Sequence, residues 1–197
     1  MNVKKELEEK LGMANGISLN NVDLDPLTIK AIMINEVVPC NPLQDFYGTS
    51  DADYLQTTLP LLRGAGAEAA SIQDVLQMGI YITNAVKTPK TEYAIAKSSI
   101  ENSLPYLEAE LSLFPNIKVI MLMGDVAKKA FNMITKKATK KNAIPAVSTY
   151  KLRNSEIYYE GIRVMPSYIM TGGNILIEKS KVIMATEDIA AMLEIIK

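Results

Sequence analysis

The 197-residue chain is 48% hydrophobic and 22% charged, with a formal net charge of −1, an ordinary globular composition whose size suits one compact domain spanning residues 1–197. One cysteine, Cys40, and no histidine exclude an intramolecular disulfide, a cluster held by several cysteines, and Ser-His-Asp or Cys-His catalysis within the chain. No apolar run reaches the roughly 18 to 20 residues of a membrane span, and the charged start M-N-V-K-K-E-L-E-E-K is unlike a signal peptide, so no membrane partner and a cytoplasmic location are expected.

Residues 1–25 read as a peripheral amphipathic helix, with Val3, Leu7 and Leu11 on one stripe, followed by a Gly- and Asn-rich connector. Four segments rich in β-branched and large apolar residues then predict buried strands: Lys30 to Val38, Gly79 to Val86, Lys118 to Met123 and Gly161 to Met165. Helical patterns fill the gaps, over Ala52 to Arg63 and Ser71 to Gln77, Thr91 to Leu113, Asp125 to Lys136, and finally Lys179 to Ile196. Ser148 to Tyr159 reads as a small extra strand or hairpin arm. Strands separated by helices predict parallel β-α-β crossovers, hence an α/β fold of three layers, α/β/α, around a central and mainly parallel four-stranded sheet. No repeat, low-complexity segment or domain boundary interrupts it.

In such a sheet the ligand site lies beyond the carboxyl ends of the strands. Each predicted strand here exits into polar or glycine-bearing sequence: N-E-V-V-P-C-N-P-L-Q-D-F-Y-G, T-N-A-V-K-T-P-K, G-D-V-A-K-K and M-P-S-Y-I-M-T-G-G-N. With histidine absent, chemistry at this edge must use carboxylates, amides, hydroxyls, lysines and backbone N–H groups, and no metal or cofactor is expected.

Glu36, near the end of a buried strand, is either a functional acid or a hydrogen-bonded anchor. Asn84, an amide in an otherwise apolar strand end, either reads a planar base or caps the turn. Phe46 and Tyr47 follow a turn-rich run and either stack on a base or anchor the loop. Lys87 and Lys90 are candidates for a phosphate near that base, or ordinary surface lysines, while Asp125 reads as a helix cap. Ser167, Tyr168, Gly172 and Gly173 form an exit where backbone can approach a ligand closely. Between Val126 and Ser155 stand seven lysines and one arginine without a single Asp or Glu, and Lys128, Lys136 and Lys140 of that run are candidates for contact with a nucleic-acid backbone. No dinucleotide or P-loop glycine motif occurs.

Taken in order, these exits resemble the uracil-DNA glycosylase superfamily, nearest to its small bacterial and archaeal members, over roughly Lys30 to Lys197. N-E-V-V-P resembles the motif G-E-A-P-G, with Glu36 on its glutamate and Val37 on the residue that positions water in several branches. D-F-Y-G supplies the aromatic that stacks on the flipped base, Phe46 or Tyr47, and Y-I-T-N-A-V-K-T-P-K is similar to Y-I-T-N-x-V-K-C-R-P, with Asn84 on the base-recognising asparagine. V-I-M-L-M-G-D-V-A-K-K-A-F resembles the segment carrying L-G-x-x-A, and M-P-S resembles H-P-S, with Met165 on the histidine, where it cannot donate a hydrogen bond.

The resemblance implies a DNA-repair hydrolase that flips a damaged base, uracil or another deaminated base, out of DNA and cleaves its N-glycosidic bond; a monomer is expected. Cys40 alone cannot hold the iron-sulfur cluster of one branch, so no cluster is expected. Met165 and Val37 keep a second reading open, a binder of DNA or free base that has lost the reaction. Without the resemblance, a small-molecule enzyme or nucleotide binder of doubly wound type also fits the pattern.

Overall fold

A computed structural model describes residues 1–197. Its centre is a five-stranded sheet in the order β2-β1-β3-β5-β4. β1 (Ala31–Val37), β2 (Ile80–Val86), β3 (Val119–Met123) and β5 (Ile162–Ser167) run parallel, and β4 (Ile157–Tyr159) pairs antiparallel with β5 at one edge. The four parallel strands are those expected from their apolar runs. The fifth falls in the segment expected as a hairpin arm, which instead opens with one helical turn, α6 (Thr149–Leu152), capped by the Ser148 side chain.

Seven helices cover the sheet, making the expected three layers. On one face α1 (Val3–Leu11), α4 (Lys97–Leu111) and α5 (Asp125–Thr139) enclose a core containing Ile32, Ile34, Leu107, Ile120, Phe131 and Val164. On the other, α2 (Asp53–Gly64), α3 (Ile72–Gln77) and α7 (Lys179–Ile196) enclose Met33, Leu62, Ile82, Met121, Ile189 and Met192. The period-2 alternation of the strands assigns each residue to one core or the other, which is why these strands read as continuous apolar runs. Val3 and Leu7 of α1 are buried, whereas Leu11 ends the helix in solvent. No helix is long and apolar enough to cross a membrane.

Two element ends differ from expectation and both shape the site. α4 begins at Lys97 rather than Thr91, because Pro89 and the bends after it keep Lys90 to Ala96 as a loop, tied to β1 by the Lys90 N–H donating to the Val38 carbonyl (2.9 Å). β5 runs on through Pro166 to Ser167, two residues past the expected end, with Leu122 opposite Pro166 and Met123 opposite Ser167. The exit from β5 therefore starts at Tyr168.

Candidate functional site

At the carboxyl edge of the sheet lies a cleft of about 750 Å³, within the size range of ligand sites. Glu36 and Val37 enter it from the end of β1, Tyr54 from α2, and Lys90 and Tyr93 from the loop before α4. Asp125 and Lys129 enter from the first turns of α5, Ile169, Thr171, Gly172 and Gly173 from the β5 exit, and Lys181 from α7. Of the residues singled out in the sequence, Glu36, Val37, Lys90, Asp125, Gly172 and Gly173 are brought together here, Asp125 as the first helical residue of α5 and not as its cap, which is Gly124. Tyr54, Tyr93, Lys129, Ile169, Thr171 and Lys181 were missed. Thr171, a hydroxyl before the glycine pair, and Lys129, inside the lysine run, carried a signal in the sequence; Tyr54 sits in a helix like any core aromatic.

Glu36 is held by the start of α5. Its Oε2 accepts the Val126 N–H at 2.8 Å, and Oε1 has no protein partner. The free N–H groups and positive dipole end of a helix favour an anion at this place. Desolvation nevertheless pushes the Glu36 carboxyl above its ordinary value; the Val126 N–H opposes this, Asp125 adds to it, and Lys90 and Lys129 pull it back down.

Gly124 makes the arrangement possible. It enters α5 at φ +114°, and a Cβ on it would lie 2.7 Å from Glu36 Cδ. Gly124→Ala is therefore expected to cost roughly 1 to 2 kcal/mol in backbone strain alone and to displace the carboxylate. Thermal denaturation should show a melting temperature lower by several degrees, at about 2 to 4 °C per kcal/mol for this size. A wild-type melting temperature would contradict the close approach.

Behind the cleft runs a chain of buried polar groups. The Thr171 hydroxyl donates to Asn35 Oδ1 (3.0 Å), Asn35 Nδ2 to Asn84 Oδ1 (2.8 Å), and Asn84 Nδ2 to both oxygens of Asp45 (3.0 and 2.8 Å). Burial raises the Asp45 carboxyl, against the opposing bonds from the Asn84 amide and the Phe46 N–H. Asn84, 1% exposed, therefore has its amide committed inward and does not line the cleft.

Phe46 is fully buried, its ring 5.3 Å from that of Tyr54, and Tyr47 stacks on Tyr81 at 5.9 Å while its hydroxyl accepts the Ile82 N–H. The loop-anchoring alternative describes both rings as they stand, because D-F-Y-G folds inward, Phe46 into the second core and Tyr47 against both cores, instead of reaching the cleft. Two other aromatics stand on the wall: Tyr54, its hydroxyl donating to the Val37 carbonyl at 2.7 Å, and the exposed Tyr93.

Several other expectations are corrected. Lys87, 2% exposed, is no phosphate ligand, since its ammonium pairs with Glu110 of α4 and donates to Thr83 (2.7 Å). Ser167 is fully buried and donates to Asp188 (2.5 Å), which Arg153 holds in an ion pair, so its hydroxyl cannot face DNA. Met165 sits inside β5 opposite Met121 and packs on the second core. A residue acting on a ligand from this exit must lie at Ile169 or beyond, where the first cleft-facing side chain is equally unable to donate.

Tyr168 is half-buried under the Lys181 ammonium (5.8 Å) and outside the cleft wall. Lys128 is tied to Thr149 (2.6 Å) and Asp125 (2.8 Å). Lys136 and Lys140 are exposed on the flank of α5, away from the cleft. No group of three or more carboxylate or cysteine side chains converges as a metal-ligand set.

The model of the uracil DNA glycosylase superfamily matches residues 27–174, from just before β1 to the end of the glycine-bearing β5 exit. No individual curated protein matches the chain. The match takes in all five strands and nearly all of the cleft wall, and covers well over half of the sequence: the chain belongs to the uracil DNA glycosylase superfamily.

Proposed function

We propose that the chain is a DNA glycosylase, taking a nucleotide flipped out of DNA into the cleft and hydrolysing the N-glycosidic bond of a deaminated base, uracil or a related one. The observation that supports this most is the Glu36 carboxylate, fixed through Oε2 on the Val126 N–H (2.8 Å) and leaving Oε1 to the cleft, with Lys90 and Lys129 beside it.

In this reading water adds to C1′ of the deoxyribose while the C1′–N bond breaks, and the bond's electron pair leaves with the base. Glu36 orients the water and takes its proton, and its charge stabilises the cationic sugar. The base departs as an anion that solvent later protonates, and the Lys90 and Lys129 ammonium groups favour its formation. The backbone of Gly172 and Gly173 supplies the polar groups at the β5 exit for contact with base or phosphate, while the Thr171 hydroxyl, its proton given to Asn35, can only accept. Recognition by Asn84 requires Asn35 or Asp45 to release its amide.

A second reading, binding of DNA without cleavage, is favoured by Val37 and Ile169, two apolar side chains in the cleft where a water-positioning or anion-stabilising group would act. One absent donor costs about 10² to 10³ in rate. A single-turnover assay with excess protein, on oligonucleotides carrying uracil or hypoxanthine, separates the two. Release of free base is the expected result. Salt-dependent binding with no release selects the second reading, and absence of both removes both.

A further inference from the structure

We infer that the groove between α4 and α5 carries a single-stranded flank of the DNA whose nucleotide enters the cleft, an inference that rests on the glycosylase reading. The groove, about 670 Å³, is lined by Lys97 and Glu101 of α4 and by Lys129, Lys136, Lys137 and Lys140 from α5 and its end, with the half-buried Leu104 and Met133 between them. Lys129 lines both this groove and the cleft, so the two adjoin at that residue.

Lys129, Met133, Lys136 and Lys140 follow i, i+4, i+7, i+11 spacing, a single stripe along α5. A merely solvated helix face carries compensating acids, as this chain does at Lys4 with Glu8 (3.9 Å) and Lys181 with Glu178; at the groove itself Lys97 pairs with Glu101 (3.6 Å) and Lys137 with Glu108 (3.4 Å). Lys129, Lys136 and Lys140 form no ion pair with any carboxylate. Lys140 also ends the helix at φ +64°, a left-handed position that glycine or asparagine fills with less strain. Its charge extends the cationic stripe by a further turn.

Geometry selects the form of the polyanion. From Lys129 to Lys140 the stripe descends the flank for roughly 16 Å, at about 1.5 Å per residue, away from the edge where the strands end. A duplex lying across that edge is too stiff to turn down the flank within so short a distance. A single strand can do so, its phosphates meeting the lysines while its bases lie against Leu104 and Met133.

The test compares the wild type with Lys136→Gln/Lys140→Gln, both residues lying outside the cleft, by fluorescence anisotropy over a salt series. The probes carry a central uracil in a single strand of about five nucleotides, a single strand of about fifteen, and the longer strand in duplex, sizes spanning those of known single-strand sites. The wild type should bind the long single strand on the order of tenfold more tightly than the short one. The double variant should lose that advantage and about 1.4 from the salt slope, at ~0.7 per phosphate contact, with short-strand binding unchanged. An unchanged slope and affinity for the long strand overturns the groove while short-strand binding leaves the glycosylase reading standing. An equal loss on the duplex overturns the single-strand assignment. If the wild type binds none of the probes, both readings fall together.

Discussion

Glu36→Gln is expected to lower single-turnover base release by roughly two to four orders of magnitude, the usual contribution of a positioned acid-base group. The amide can still accept the Val126 N–H, so the fold around α5 should persist while the charge and the proton acceptor are lost. Because desolvation raises the Glu36 carboxyl above 4.5, the ionised form needed for catalysis is reached at a higher pH than for a free glutamate, and the acid limb of the rate profile should lie above that value.

The stability consequence has the opposite sign from that of a salt-bridged carboxylate. A native state that holds this proton more tightly than the unfolded chain loses stability as pH rises from 4.5 through the raised value, and remains lower beyond it. Glu36→Gln should therefore melt no lower than the wild type at neutral pH. Full activity in Glu36→Gln, or a rate profile still flat down to the ordinary glutamate range, would remove Glu36 from the mechanism.

The largest loss of stability is expected at the buried pair of Lys87 and Glu110, 2% and 1% exposed. Glu110 is the hub: its carboxylate takes the Lys87 ammonium, the Tyr81 hydroxyl (2.5 Å) and the Thr83 hydroxyl (2.8 Å), and Asn20 donates in turn to Tyr81 (2.8 Å). Removing one partner of a buried ion pair costs about 3 to 5 kcal/mol, because the other charge stays buried without compensation. Lys87→Met should fall in that range, lowering the melting temperature by roughly 10 °C. Glu110→Leu should be worse, since it orphans two hydroxyl groups as well as the ammonium. Calorimetry on both variants checks the order, and a Lys87→Met protein as stable as the wild type would mean that the lysine reaches solvent after all.

Lys87 and Asn84 show how far the sequence could be read. Both stand in the segment that most resembles the family; strand identity and parallel direction followed from the apolar runs, because such runs separated by helical spacing admit few other arrangements, whereas the strand order did not. What it could not show is which exit side chains remain free. Lys87 is claimed by Glu110, 23 residues away, Asn84 by Asp45 at 39 and Asn35 at 49, and Asn35 in turn by Thr171 at 136. None of these partners leaves a periodic trace near the residue it satisfies.

Met165 failed for a different reason. Its role depended on where β5 ends, and proline within M-P-S reads as the end of a strand, yet the pairing of Leu122 with Pro166 and Met123 with Ser167 carries the strand two residues further. That shift moves the cleft-facing exit to Ile169 and Thr171.

By itself, then, the sequence determined the layers, the four parallel strands and the edge at which a site must lie, all consequences of local periodicity and of the handedness of β-α-β connections. Only the tertiary structure decided that Glu36 faces the cleft while Asn84, Ser167 and Lys87 turn inward. A buried polar group must find its partner wherever the fold places one, and burial is a property of the assembled layers rather than of any one segment.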